Sequence, residues 1–133
     1  MPSPPMRGYV EEQLRTVYAA FAQGNVAGVL SPCSDDMIFH VPGTSPLAGD
    51  HTRAGFVDLA GRLVRISGGS FREEMVDVLS GETHGAALLL HSLRRNGRPV
   101  SYTTVHLWRL RGGRFCEWWE LPQDLDAFNA AWS

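Results

Sequence analysis

The sequence predicts an α+β domain in which helices come first and an antiparallel meander follows. Three observations predict it. Apolar residues of the first half recur at helical spacing, and those after Gly68 fall in strand-like runs. The runs are separated by Gly81-Glu82, Asn96-Gly97 and Gly112-Gly113. Asn-Gly and Gly-Gly accept the positive φ that tight hairpin turns demand. Helices followed by paired strands bury their apolar stripes on one face of a sheet. The chain has 133 residues, enough for one domain with its own core and too few for two.

The start, Met1-Pro-Ser-Pro-Pro-Met6, has neither the apolar nor the basic region of a signal peptide. Residues 1–7 are expected to be a disordered lead-in to a single domain over 8–133. Val10, Leu14, Val17, Tyr18 and Phe21 form one stripe, at spacings of 4, 3, 1 and 3, that stops at Gly24. Asn25 can cap a second short helix, Val26 to Leu30, which Pro32 ends. Met37 to Val41 reads as a short strand, and Pro42 to Gly49, with two prolines and two glycines, as a loop. A third helix fits Arg53 to Ile66, with Phe56, Leu59, Leu63 and Ile66 along one side. Four strands follow at Phe71–Leu79, Thr83–Arg94, Pro99–Leu110 and Arg114–Leu121, and Asp124 to Trp132 fits a terminal helix.

The register of the last hairpin decides which side chains share a face. A two-residue Gly112-Gly113 loop sets Arg111 opposite Arg114, and a three-residue loop sets Leu110 there. The second is preferred because like charges directly opposite each other repel. It gathers Tyr102, Thr104, His106, Trp108, Cys116, Trp118 and Glu120 on one face and leaves Val105, Leu107, Phe115, Trp119 and Leu121 on the other. A sheet face open to water should be polar. The apolar outer face is therefore expected to be covered by a second subunit, as a homodimer through Phe115, Trp119 and Leu121.

Composition narrows the chemistry. Apolar residues at 44% and charged residues at 20% describe a globular chain, and no run approaches a membrane span, so a cytoplasmic protein is expected. A net charge of −2 argues against a nucleic-acid partner. All 12 basic residues are Arg, which removes mechanisms that form a Schiff base through lysine. There is no G-x-S-x-G elbow for a serine nucleophile, and Gly68-Gly69-Ser70 leads into a strand pattern, so it is a turn and not a phosphate cradle. Cys33 and Cys116 are expected to be free buried thiols. No cofactor motif is present.

The run Phe39-His-Val-Pro-Gly-Thr-Ser-Pro-Leu-Ala-Gly49 and the ending Val105-His-Leu-Trp-Arg-Leu-Arg-Gly-Gly-Arg-Phe-Cys-Glu-Trp-Trp-Glu120 resemble the SnoaL-like branch of the ketosteroid isomerase and nuclear transport factor 2-like superfamily. The resemblance runs from about Gly8 to Trp132. It implies a cone of three N-terminal helices packed on a strongly curved antiparallel sheet, with an apolar pocket inside. The general-base Asp of ketosteroid isomerases, six residues before a loop proline, corresponds to His40. Their protonated Asp, two residues before an aromatic-Arg pair, corresponds to His106 ahead of Trp108-Arg109. Their catalytic Tyr matches Val17, with Tyr18 adjacent and turned about 100° around the helix. Polyketide cyclases of the SnoaL type resemble the chain differently, with an acid after a Trp on the last strand and a His on its neighbour. Here those are Glu120 and His106, diagonal neighbours in the preferred register.

The resemblance and the residues together imply a cofactor-independent acid–base enzyme acting on a small polyketide-like or cyclic ketone. His40 would abstract a proton next to a carbonyl, and His106 with Glu120 would stabilise the enolate and return a proton. Trp108 and Trp118 would line the pocket, with Val17, Tyr18 and Cys116 beside them. Tyr102 and Thr104 would hydrogen-bond a carbonyl. No metal is expected, although His40, His106 and Glu120 are types that bind zinc or iron. His84 and His91 have no evident partner, and Asp35-Asp36 and Glu73-Glu74 read as solvated or turn residues. A second reading is a non-catalytic binding module of the same fold. A third, epoxide hydrolase, needs an Asp-Arg-Asp set, and Arg109 faces outward.

Overall fold

In the computed structural model, which describes residues 6–133, the elements are α1 (Met6–Ala22), α2 (Val26–Leu30), β1 (Cys33–Val41), β2 (Gly49–His51), α3 (Arg53–Ser67), β3 (Arg72–Ser80), β4 (His84–Arg95), β5 (Arg98–Arg111), β6 (Arg114–Pro122) and α4 (Leu125–Trp132). The lead-in expected over residues 1–7 lies outside the described residues up to residue 5, and Met6 and Arg7 already belong to α1. One curved sheet in the order β2-β1-β6-β5-β4-β3 carries α1 and α3 on its inner face. The sheet is not wholly antiparallel, because β1 runs parallel to β6. No helix among the described residues is long and apolar enough to cross a membrane.

Local chemistry sets the helix ends. The Asn25 side chain accepts from the Gly28 N–H at 2.9 Å to start α2, and Thr52 Oγ1 accepts from the Gly55 N–H at 3.1 Å to start α3. Gly68, at φ +64°, closes α3 in the left-handed conformation. Strand β1 begins at Cys33, ahead of the expected Met37, because the chain already pairs with β6 there, Cys33 standing opposite Phe115 and the Phe115 N–H donating to the Pro32 carbonyl at 3.0 Å. Strand β2 was expected to be loop. Its three residues are too few to show a period, and they pair with the end of β1.

The last hairpin departs from the preferred register. Its loop is the two-residue one, with Gly112 at φ +60° and Gly113 at +78°, and Arg111 does stand opposite Arg114. The repulsion is relieved locally. Arg111 turns to Asp36, and Arg114 donates to the carbonyls of Ser31 and Cys33, both at 2.9 Å. A β-bulge at Cys116 then slips the pairing, so Trp108 faces Trp118 and His106 faces Glu120 directly. The bulge also turns Phe115 inward, where it is 1% exposed and packs 4.7 Å from Trp108. Phe115 is therefore not on the outer face. Of the residues expected there, Trp119 is half-buried against His40 and Leu121 is exposed.

Val10, Leu14 and Val17 seat α1 on the sheet at full burial. The close approach falls at Gly85, where an added Cβ would lie 2.7 Å from both Leu14 Cδ1 and Val10 Cγ1. Gly85→Ala is expected to destabilise the fold by about 1–3 kcal/mol, as overpacking does. A urea midpoint equal to that of the native chain would show that the helix can shift freely.

Candidate active site

The inner face of the sheet and the three long helices enclose a cavity of about 70 Å³. Alternation along β4, β5 and β6 turns His91, Tyr102, Thr104, His106, Trp108, Trp118 and Glu120 inward, all buried. Helix α1 adds Val17 and Tyr18. Phe21, Leu63, Phe71 and Glu73 line both this cavity and a surface groove between α1, α3 and β3, so they form its mouth.

The polar groups form two chains. In the first, the Trp108 indole N–H donates to the Tyr18 oxygen at 3.1 Å, and that oxygen lies 2.6 Å from His106 Nδ1. His106 Nε2 is 2.9 Å from Glu120 Oε2, which also accepts from the Thr104 hydroxyl. Burial disfavours the His106 imidazolium, but the charge and hydrogen bond of Glu120 outweigh it, with help from Glu73. The His106 pKa therefore lies above the usual histidine value. Burial works equally against the Glu120 carboxylate, yet His106, His91 and Thr104 hold its pKa below the usual range. Burial, reinforced by the charge of Glu73, keeps Tyr18 protonated well above the ordinary phenol pKa.

The second chain runs Trp132, Tyr102, His91, Glu73. The Trp132 N–H donates to the Tyr102 oxygen at 2.8 Å, Tyr102 lies 2.9 Å from His91 Nδ1, and His91 Nε2 lies 2.6 Å from Glu73 Oε2. Burial raises the Tyr102 pKa strongly, so its phenol proton stays on. The sequence offers His91 no evident partner and reads Glu73 as a solvated or turn residue, and the structure corrects both. They are directly opposed on β3 and β4. The signal available was parity, since His91 falls on the same strand face as Ala87, Leu89 and Leu93, all buried.

Three expected site residues do not line the cavity. Thr104 is fully buried and gives its hydroxyl to Glu120, so it does not reach a substrate carbonyl. His40 is on the outer face, because β1 turns Phe39 and Val41 inward and residue 40 therefore outward. Its Nδ1 is 2.7 Å from Asp50 and its Nε2 2.6 Å from Glu117, which also takes Arg109 at 2.9 Å. Burial opposes its charge, but the hydrogen bonds it donates to Asp50 and Glu117 prevail and raise its pKa. His40 thus cannot serve the cavity as a base. Cys116, the bulge residue, is buried beside the Arg109 carbonyl at 3.6 Å and does not line the cavity. Both cysteines are free, and burial pushes the Cys33 thiol up to about 11. Tyr18 supplies a phenol to the cavity one residue after Val17, the position matched by the resemblance.

With His40 outside, a metal set of His40, His106 and Glu120 cannot form. Glu73, His91 and His106 offer donor atoms within 4.8 Å of one another. Each of these groups already has a hydrogen-bond partner, Glu73 and His91 in each other and His106 in Glu120 and Tyr18. Their arrangement is that of a proton network.

Comparison with known proteins agrees with the architecture. The SnoaL-like domain family model matches residues 14–118. Bal32a, from a soil-derived mobile gene cassette, superposes with a TM-score of 0.89 at 25% identity, over 96% of this chain and 99% of that one. TerC, solved with polyporic acid, gives 0.82 at 20% identity, over 92% and 97%. An NTF2-like protein from Burkholderia xenovorans LB400 gives 0.79 at 17%, over 96% and 98%. No curated protein sequence matches the chain. The helices packed on a curved sheet and the match over most of the length lead to one statement: the chain belongs to the SnoaL-like domain family.

Proposed function

We propose that the protein is a cofactor-independent acid–base enzyme that forms an enolate from a small, largely apolar ketone of the polyketide type. One observation carries this reading. Tyr18 stands 2.6 Å from His106, which a buried Glu120 holds from its other nitrogen, and the phenol opens onto an apolar cavity. Because the Tyr18 oxygen accepts the Trp108 N–H, its own proton points to His106 Nδ1 when the imidazole is neutral. As the phenol oxygen takes a proton from the carbon beside the carbonyl, the phenol proton passes to Nδ1. Glu120 stabilises the imidazolium so formed. Run backwards, the same relay returns the proton. Cyclisation, isomerisation and dehydration all pass through this enolate.

Family membership supports the reading, as does a fold neighbour, TerC, crystallised with polyporic acid. The second reading, a non-catalytic ligand holder, is favoured by the absence of any unpartnered buried polar side-chain atom among the described residues. Epoxide hydrolysis has no such support, since Arg109 is paired with Glu117 on the outer face.

The test uses benzylacetone in heavy water, with loss of the protons beside the carbonyl followed by NMR. The native protein is expected to exchange them well above the buffer rate. Tyr18→Phe is expected to lower the protein-dependent rate by about 10²–10⁴-fold, the usual worth of a positioned acid–base group. Exchange no faster than in buffer would leave the ligand-holder reading.

A further inference from the structure

The chain Trp132–Tyr102–His91–Glu73 repeats, donor for donor, the order of Trp108–Tyr18–His106–Glu120. In each, an indole N–H fills one lone pair of a phenol oxygen, the phenol meets Nδ1 of an imidazole, and Nε2 meets a carboxylate. Apart from β5, which carries Tyr102 as well as His106 and Trp108, different elements supply the two chains, yet both line one cavity, and the two imidazole rings stand 5.4 Å apart. They differ at the far end. Glu120 is sealed in the interior beside Thr104, whereas Glu73 lines both the cavity and the outer groove. The second chain therefore has a solvent-facing end that the first lacks.

We propose that Tyr102, His91 and Glu73 are a second proton-transfer relay acting on the same substrate as the first, and that this substrate is a β-hydroxy ketone from which water is eliminated. The inference rests on the enolate reading above. A single relay suffices to make an enolate and return its proton. A second donor a few ångströms away suits an oxygen two carbons from the carbonyl, which leaves readily only when protonated. The first relay, starting neutral, takes the proton from the carbon beside the carbonyl, and the C–H electron pair becomes the C=C bond. The second relay starts with His91 protonated. Tyr102 gives its proton to the β-hydroxyl as the C–O bond breaks, water leaves with that bond's electron pair, and Tyr102 is refilled from His91 Nδ1. The first relay ends with one extra proton and the second lacks one. Exchange through Glu73 at the mouth, and between the neighbouring imidazoles by water, restores both. No oxidant or reductant is consumed.

The experiment compares two probes on the full-length protein. Proton exchange of benzylacetone reads the first relay alone. Conversion of the benzaldehyde–acetone aldol adduct to benzalacetone, followed by ultraviolet absorbance, needs both. The elimination-to-exchange ratio is independent of how much of a variant is folded. Tyr102→Phe, and separately Glu73→Gln, are expected to lower that ratio about 100-fold. Tyr18→Phe should lower both rates together. A ratio unchanged in both second-relay variants overturns the inference. Exchange without elimination in the native protein overturns it alone, leaving the enolate reading standing. Neither reaction in the native protein overturns that reading, and this one with it.

Discussion

Glu120→Gln is expected to lower the pKa of His106, slow proton exchange on benzylacetone by at least about 100-fold, and destabilise the fold most strongly under mildly acidic conditions. Glutamine keeps the shape of the side chain and can still accept from His106 Nε2, so the change isolates the charge. The His106 pKa is raised against a burial effect that acts the other way, and Glu120 is its chief source of compensation. Without that charge, burial dominates, the imidazolium becomes costly, and the phenol proton of Tyr18 has a poorer acceptor. The pH dependence follows from the two shifts. A raised His106 pKa contributes stability that is fully present below about pH 6.5 and is lost as pH rises through the folded value. A lowered Glu120 pKa contributes stability present above about pH 4.5 and lost as pH falls through its folded value. Both contributions are present between those limits. Breaking a buried pair by removing one charge typically costs about 3–5 kcal/mol, and the surviving hydrogen bond places the glutamine at the lower end. Urea midpoints of the native and variant chains should differ most near about pH 5.5 and converge toward alkaline pH. A difference that instead grows above neutrality would mean that His106 is neutral in the folded protein and that Glu120 does not stabilise its charge.

The fold was legible because its signals are local. The stripe from Val10 to Phe21, the cap at Asn25 and the glycine-bearing hairpin turns each act within a few residues. Half of the site was legible for the same reason. Alternation along β5 aligns Tyr102, Thr104, His106 and Trp108, whatever happens at the turn. What escaped depends on contacts distant in sequence. The repulsion between Arg111 and Arg114 is absorbed by Asp36 on another strand, and the Cys116 bulge restores the facing pair that the tight turn would otherwise have displaced. His40 was assigned by positional correspondence. Its parity with Phe39 and Val41, which fill the interior, would have placed it outside. The partnership of His91 with Glu73 required the β3–β4 register, itself shifted between Met75 and Asp77, and no local pattern announces that shift.

Trp132→Ala is expected to lower stability by about 3–5 kcal/mol, the usual cost of deleting a fully buried large aromatic ring. Trp132 is 1% exposed on α4, which starts where the Asp124 side chain accepts from the Ala127 N–H at 3.1 Å. The helix is held near its end by Arg95, which donates to the carbonyls of Ala131 and Ser133, both at 2.6 Å. The indole therefore cannot simply be replaced by a collapse of α4 onto the sheet, and a cavity remains. The ring packs 5.4 Å from Phe71 at the mouth, while its N–H supplies one hydrogen bond to Tyr102. Against a typical domain stability of about 5–15 kcal/mol, the loss is large, and the melting temperature should fall by roughly 10–20 °C. Trp132→Phe separates the two roles. It keeps most of the packed ring and removes only the donor, at about 1 kcal/mol for the lost hydrogen bond plus a modest packing deficit. The Tyr102 oxygen then loses one of the two N–H groups that fill it and leave its own proton for the substrate hydroxyl, so Trp132→Phe should lower elimination of water from the aldol adduct more than exchange on benzylacetone. Equal thermal stability of the alanine variant and the native chain would show that α4 does not close the core. Equal elimination-to-exchange ratios for the native protein and Trp132→Phe would show that the indole N–H does not orient the relay.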